Sequence, residues 1–183
     1  MARSGSKPKS ETFDASGDIF ARVMDAVHAV RQNHAMEHAT LAILAKRLEG
    51  HKRIVGRAGW DGFYLYGDVP TDLVADAARE AMQRLQEGER DLAISANCGT
   101  NIVVAGLAAG VASMIVARGH TGSDRLTRII LASTIAVLLA QPLGKVAQRH
   151  ITTTSELDNV SIARVVRTSG DGLTVHKVEL ARL

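Results

Sequence analysis

Three residues within about one helical turn, His34, Glu37 and His38, break a seam that is otherwise aliphatic. Val23, Val27, Val30, Leu41, Leu44 and Leu48 recur at three- and four-residue steps, the stripe of an amphipathic helix, and positions 34 and 37 continue it. His38 follows His34 by four residues, about 40° around a helix of 3.6 residues per turn, so both imidazoles and the carboxylate project from one side. An imidazole or carboxylate on a buried stripe is costly unless something satisfies it. Two candidate partners lie far along the chain: Cys98, inside the polar run Asn97-Cys98-Gly99-Thr100-Asn101, and His150. Zinc takes thiolate and imidazole together, and two His with one Cys leave a position for water or a fourth protein ligand. With His150 bound the site is closed and structural; without it the site is open, and Glu37 has a water to act on as general base. The same side chains also suit a metal-free hydrogen-bond network, with Cys98 as a small buried hydrophobe.

The string His34-Ala35-Met36-Glu37-His38 is H-x-x-E-H and resembles the signature of the inverzincin metallopeptidases. That resemblance implies that His34 and His38 bind zinc and that Glu37 activates a bound water. It covers five residues. Inverzincins are large soluble enzymes with a third, acidic ligand on a later helix, for which Glu80 is the nearest counterpart in this sequence.

Elements must hold these groups in place. The stripe predicts a helix over 16–48, closed by Gly50. Two strand-like runs, 52–57 and 62–66, flank the turn-rich segment 58–62 and predict a hairpin. Trp60, Phe63, Tyr64 and Tyr66 are four of the six aromatics and suit either that hairpin's core or the headgroup zone of a bilayer. Pro70-Thr71-Asp72 opens a second amphipathic helix with Leu73, Val74, Ala77, Ala81 and Leu85 on one side, ending before Gly88. Asp68, Asp72 and Asp76 fit its acidic first turn. Residues 92–95 read as a further short strand, and 161–168 with 173–183 as a hairpin around Ser169-Gly170-Asp171-Gly172. His28, His51, His120 and His176 have no partners at ligand spacing and are expected at the surface.

No residue from Leu92 to Ala117 is charged, and Ile102 to Ala117 is almost wholly aliphatic. Crossing about 30 Å of hydrocarbon takes roughly 20 helical residues. A second run, 129–144, is shorter and is extended by Arg128 and Lys145, whose long side chains reach the interface. A linker of about ten residues makes the two an antiparallel hairpin in a lipid bilayer. Gly106 and Gly110 allow close helix approach, within the hairpin or in a homo-oligomer, and Pro142 is expected to bend or end the second helix. Two spans return the chain to one side, so the flanking parts are expected to form one domain. The fold class is α+β, with a transmembrane helical hairpin inserted in a small membrane-proximal domain. The expected organisation is a disordered tail over 1–15, the domain over 16–96 and 149–183, and the hairpin over 97–148. The first ten residues lack the apolar core of a signal peptide, so the domain is expected in the cytoplasm.

A single Cys excludes a disulfide framework, and 22 Lys+Arg against 19 Asp+Glu, well dispersed, give no nucleic-acid footprint. Phosphate loops, G-x-S-x-G elbows and C-x-x-C pairs are absent from the sequence. The ordered segments 33–40, 62–71, 97–101 and 138–144 resemble an uncharacterised family of small bacterial membrane proteins, a resemblance that implies no activity. The leading reading is a membrane-anchored zinc metallohydrolase, most plausibly a peptidase, with His34, His38, Cys98 and His150 as candidate ligands and Glu37 as base. The alternative is a non-catalytic accessory or assembly subunit with a structural polar or metal cluster.

Overall fold

The computed structural model describes residues 15–49, 53–118, 122–170 and 173–183. Helix α1 (Ala15–Arg47) leads to strands β1 (Val55–Ala58) and β2 (Gly62–Tyr66), then helix α2 (Thr71–Gln86). A 3-10 turn (Arg90–Ala93) precedes helices α3 (Gly99–Ala117) and α4 (Gly122–Ala147), a π-helical turn (Gln148–Thr152) follows, and strands β3 (Val160–Gly170) and β4 (Leu173–Arg182) close the chain. The fold is α+β, as the patterning predicts. The four strands form one antiparallel sheet in the order β1-β2-β4-β3.

The second half of α1 lies over β1 and β2, and α2 lies over β3 and β4. Between them sits the core: Ala35, Met36, Ala39, Ile43 and Leu44 of α1, Val74, Ala77, Ala81 and Leu85 of α2, and Phe63, Leu65 and Val178 of the sheet. Alanines on the facing sides of both helices let their backbones approach closely. The first half of α1 behaves differently. Val23, Val27 and Val30 belong to the predicted stripe yet stand 54%, 47% and 38% exposed.

Helices α3 and α4 pack along each other, and Ser113 and Ser133 share a hydrogen bond of 2.8 Å across the pair. Both are long and apolar enough to cross a membrane, and none of α3 is buried within the chain. The second is longer than its apolar run because Asp124 and Arg128, paired at 2.9 Å, add a polar turn at its start. The linker is correspondingly shorter than expected. Pro142 lies inside α4, which continues to Ala147 rather than ending there. A Cβ on Gly106 or Gly110 would meet nothing, so neither glycine serves the contact with α4. The close approach is at Gly144, where a Cβ would overlap the Asn101 side chain.

Two expectations are corrected. Residues 92–95 form no strand: the carbonyls of Ala93 and Ser95 are taken by side chains of α1, α3 and the π-turn rather than by a ladder. His176 is buried on β4, not at the surface, and its Nε2 hydrogen-bonds the Thr71 hydroxyl at 3.2 Å. Gly50, His51, Lys52, His120, Asp171 and Gly172 lie outside the described residues.

Candidate metal centre

In α1, the four-residue step sets the His34 and His38 rings 4.3 Å apart between centroids, tilted by 57°. Their Nδ1 atoms face backbone carbonyls, His34 toward Thr152 at 3.0 Å and His38 toward Ala93 at 2.7 Å. A carbonyl only accepts, so each Nδ1 carries the proton, and Nε2 is the atom each ring has for a ligand. Cys98 caps α3, its sulfur accepting the Thr100 N–H, and stands 3.4 Å from His34 Nε2. The ligand atoms of His34, His38 and Cys98 all lie within 4.8 Å of one another.

A polar clamp fixes Cys98. Buried Gln148 accepts the Ser95 N–H at 2.8 Å and donates to Ser95 O and Asn101 Oδ1 at 2.9 and 2.8 Å. Asn101 donates in turn to Ala96 O at 2.8 Å. The start of α3 is thereby tied to the end of α4. Arg31 donates to the His150 and Thr153 carbonyls, holding the π-turn so that Thr152 O meets His34. Sequence reasoning picked out the Asn97–Asn101 run but missed Gln148, Thr152 and Ala93. Gln148 is one polar residue among several after α4, and a backbone carbonyl leaves no residue-type signal.

Glu37 stands beside this trio without joining its ligand group. Its carboxylate accepts the Ala58 N–H and lies against Gly56, where a Cβ would overlap it. Burial pushes its carboxyl upward, partly opposed by the neighbouring His38 and His34, and the net shift is up. Burial acts downward on His34, but the Cys98 hydrogen bond and charge, with Glu37, outweigh it and raise the imidazole. Burial acts upward on Cys98, yet hydrogen bonds from His34, His38 and Thr100 bring its thiol down to about 5. The two shifts have one cause, the contact of sulfur and imidazole at 3.4 Å, which favours the charged form of each.

His150 is set apart from this centre: it is exposed, it lines other cavities, and its backbone, not its ring, contacts α1. Glu80 is also remote, ion-paired with Arg47 and Arg84. His34, Glu37, His38 and Cys98 open onto a groove of about 790 Å³ between α1, β1 and the 94–99 segment. Of the aromatics, Phe63 is core, Tyr64 stacks beneath Arg57, and Trp60 is 75% exposed at the hairpin tip.

The chain belongs to a family described as a domain of unknown function (DUF6391), whose model matches residues 29–165 and so includes every residue of this centre. It is similar to an uncharacterised protein of Picosynechococcus sp. (strain ATCC 27264 / PCC 7002 / PR-6), 37% identical over 145 residues, covering 70% of this chain and 68% of that protein. No solved structure matches the chain.

Proposed function

We propose that this chain is a membrane-anchored zinc hydrolase, a peptidase, with His34, His38 and Cys98 as ligands and Glu37 as general base. The carrying observation is the pair of Nδ1–H bonds to Thr152 O and Ala93 O, which present both Nε2 atoms toward one sulfur. Outer hydrogen bonds of this kind orient metal-bound imidazoles. Three protein donors, with His150 apart, suit an open zinc site rather than a closed one. Zinc held there would supply Lewis acidity to a water and to the scissile carbonyl. Glu37 is close by, not a ligand, and raised toward the range of a working base. It takes a proton from the water as the oxygen bonds to the carbonyl carbon, and returns it to the amine as the C–N bond breaks.

The test pairs metal analysis with hydrolysis. Glu37→Gln should keep zinc and lose turnover, while His34→Ala, His38→Ala and Cys98→Ala should each lose zinc. One observation favours the second reading, a non-catalytic subunit: the Cys98 sulfur already has hydrogen-bond partners in His34 and the Thr100 N–H. Protein without zinc, unaltered in thermal midpoint by added zinc and inert toward peptides, would leave only that reading.

A further inference from the structure

We propose that the groove binds its substrate as an extended, apolar polypeptide segment that adds as a strand to the free edge of β1. The chemistry rests on the hydrolase reading; the binding does not. β1 ends the sheet, and among the described residues no strand pairs with its outer side. Gly59 N–H donates to Gly62 O at 2.8 Å, so along the antiparallel ladder Arg57 and Val55 turn their amides toward β2, and Ala58 and Gly56 turn theirs outward. Ala58 N–H does point that way, onto Glu37. The N–H and C=O of Gly56 therefore sit on the open edge beside the Glu37 carboxylate. Unpaired strand groups of this kind are what an added strand satisfies.

The shape agrees. The floor of the groove follows α1 from Val30 to Ala45, about 22 Å at 1.5 Å per residue, with residues 53–58 as one wall. A trough of that length matches about seven residues of extended chain at roughly 3.3 Å each. A helical segment has its backbone groups already paired and would leave Gly56 unsatisfied. A span drawn from the bilayer must therefore unwind to be bound.

The floor also selects composition. Besides the reactive groups it presents Val30, Leu41, Ala42 and Ala45, and the same helical face runs on as Val27 and Val23, 47% and 54% exposed. Apolar side chains alternating along a bound strand would cover that face. Arg53 and Arg57 line the β1 wall, and Glu37 is the only acidic residue lining the groove among those described. A basic segment is thereby disfavoured.

Binding is read by fluorescence anisotropy on the full-length Glu37→Gln protein in detergent. The probes are a labelled Val/Thr peptide of about ten residues, two copies N-methylated at alternate residues on one edge or the other, and a copy of matched composition constrained to a helix. The parent peptide and one methylated copy should bind alike, and the other copy, which loses more than one donor, should bind at least about tenfold more weakly, the cost of a single lost hydrogen bond. The helical copy should not compete, and Val27→Asp or Val30→Asp, at exposed positions, should weaken the parent peptide severalfold. Equal affinity for both methylated copies, preference for the helical copy, or no peptide binding overturns the proposal. Edge-selective binding with no hydrolysis by the wild-type protein overturns the hydrolase reading instead.

Discussion

At Gly56 a single added methyl group would overlap the Glu37 carboxylate. Gly56→Ala is therefore expected to displace Glu37 at a cost of about 1–3 kcal/mol in stability and, if the proposed hydrolase reading holds, to abolish hydrolysis while zinc content stays; a thermal melt, metal analysis and a peptide-hydrolysis assay check these. Cys98 leads to a second expectation. Its thiol is held down at about 5 while the His34 imidazole is raised, so protons compete with zinc for His34 more than for the sulfur. Zinc affinity should thus weaken as pH falls. Zinc titrations across neutral to mildly acidic pH read that dependence, and an affinity independent of pH would contradict it. The histidine spacing was readable because four residues along a helix is a local relation. The choice of Cys98 over His150 was not, since both flank the hairpin and nothing in residue type separates them.

At the scale of elements, the clamp between α3 and α4 is testable without touching a ligand. Gln148→Ala removes the partner of the Ser95 N–H and of the Asn101 side-chain oxygen, both partly buried, so stability should drop by about 1–3 kcal/mol. Zinc affinity should drop with it, because Cys98 is positioned by the tied segment; unchanged affinity would show that the cap on α3 alone sets the sulfur. His176 contributes a pH dependence to the sheet. Burial, then the Arg167 charge, lowers its pKa below the unfolded value of about 6.5. A lowered histidine stabilises the fold above that value and the stability is lost as pH falls toward the folded pKa. The thermal midpoint of the parent should accordingly fall relative to that of His176→Gln between pH 7 and 5. Glu37 and His34, both raised, act in the opposite sense, so the comparison of variant with parent isolates His176.

For the whole molecule, two adjoining apolar helices with almost no buried surface predict partition into membranes. Fractionation of the full-length chain should place it with lipid, and recovery as a soluble monomer without detergent would contradict the two spans. The exposed valines of α1 belong to the same question of what the fold leaves uncovered. Periodicity marks a residue as apolar on one face, but burial depends on whether another element covers that face, and Val23, Val27 and Val30 stay exposed.

The sequence by itself determined the elements whose cause is local: α1 and its H-x-x-E-H turn, the β1-β2 and β3-β4 hairpins, the amphipathic α2 and the apolar pair α3 and α4. Residues a few positions apart on a regular backbone have one geometry, so spacing is enough. Only the tertiary structure decided that β2 pairs with β4 and leaves β1 as an open edge, that Thr152 and Ala93 offer the carbonyls orienting both imidazoles, and that Gln148 draws Cys98 to them. Those relations join residues 53 to 118 positions apart. They depend on which surfaces meet when the helices and sheet bury their apolar faces, and that is a property of the packed chain as a whole.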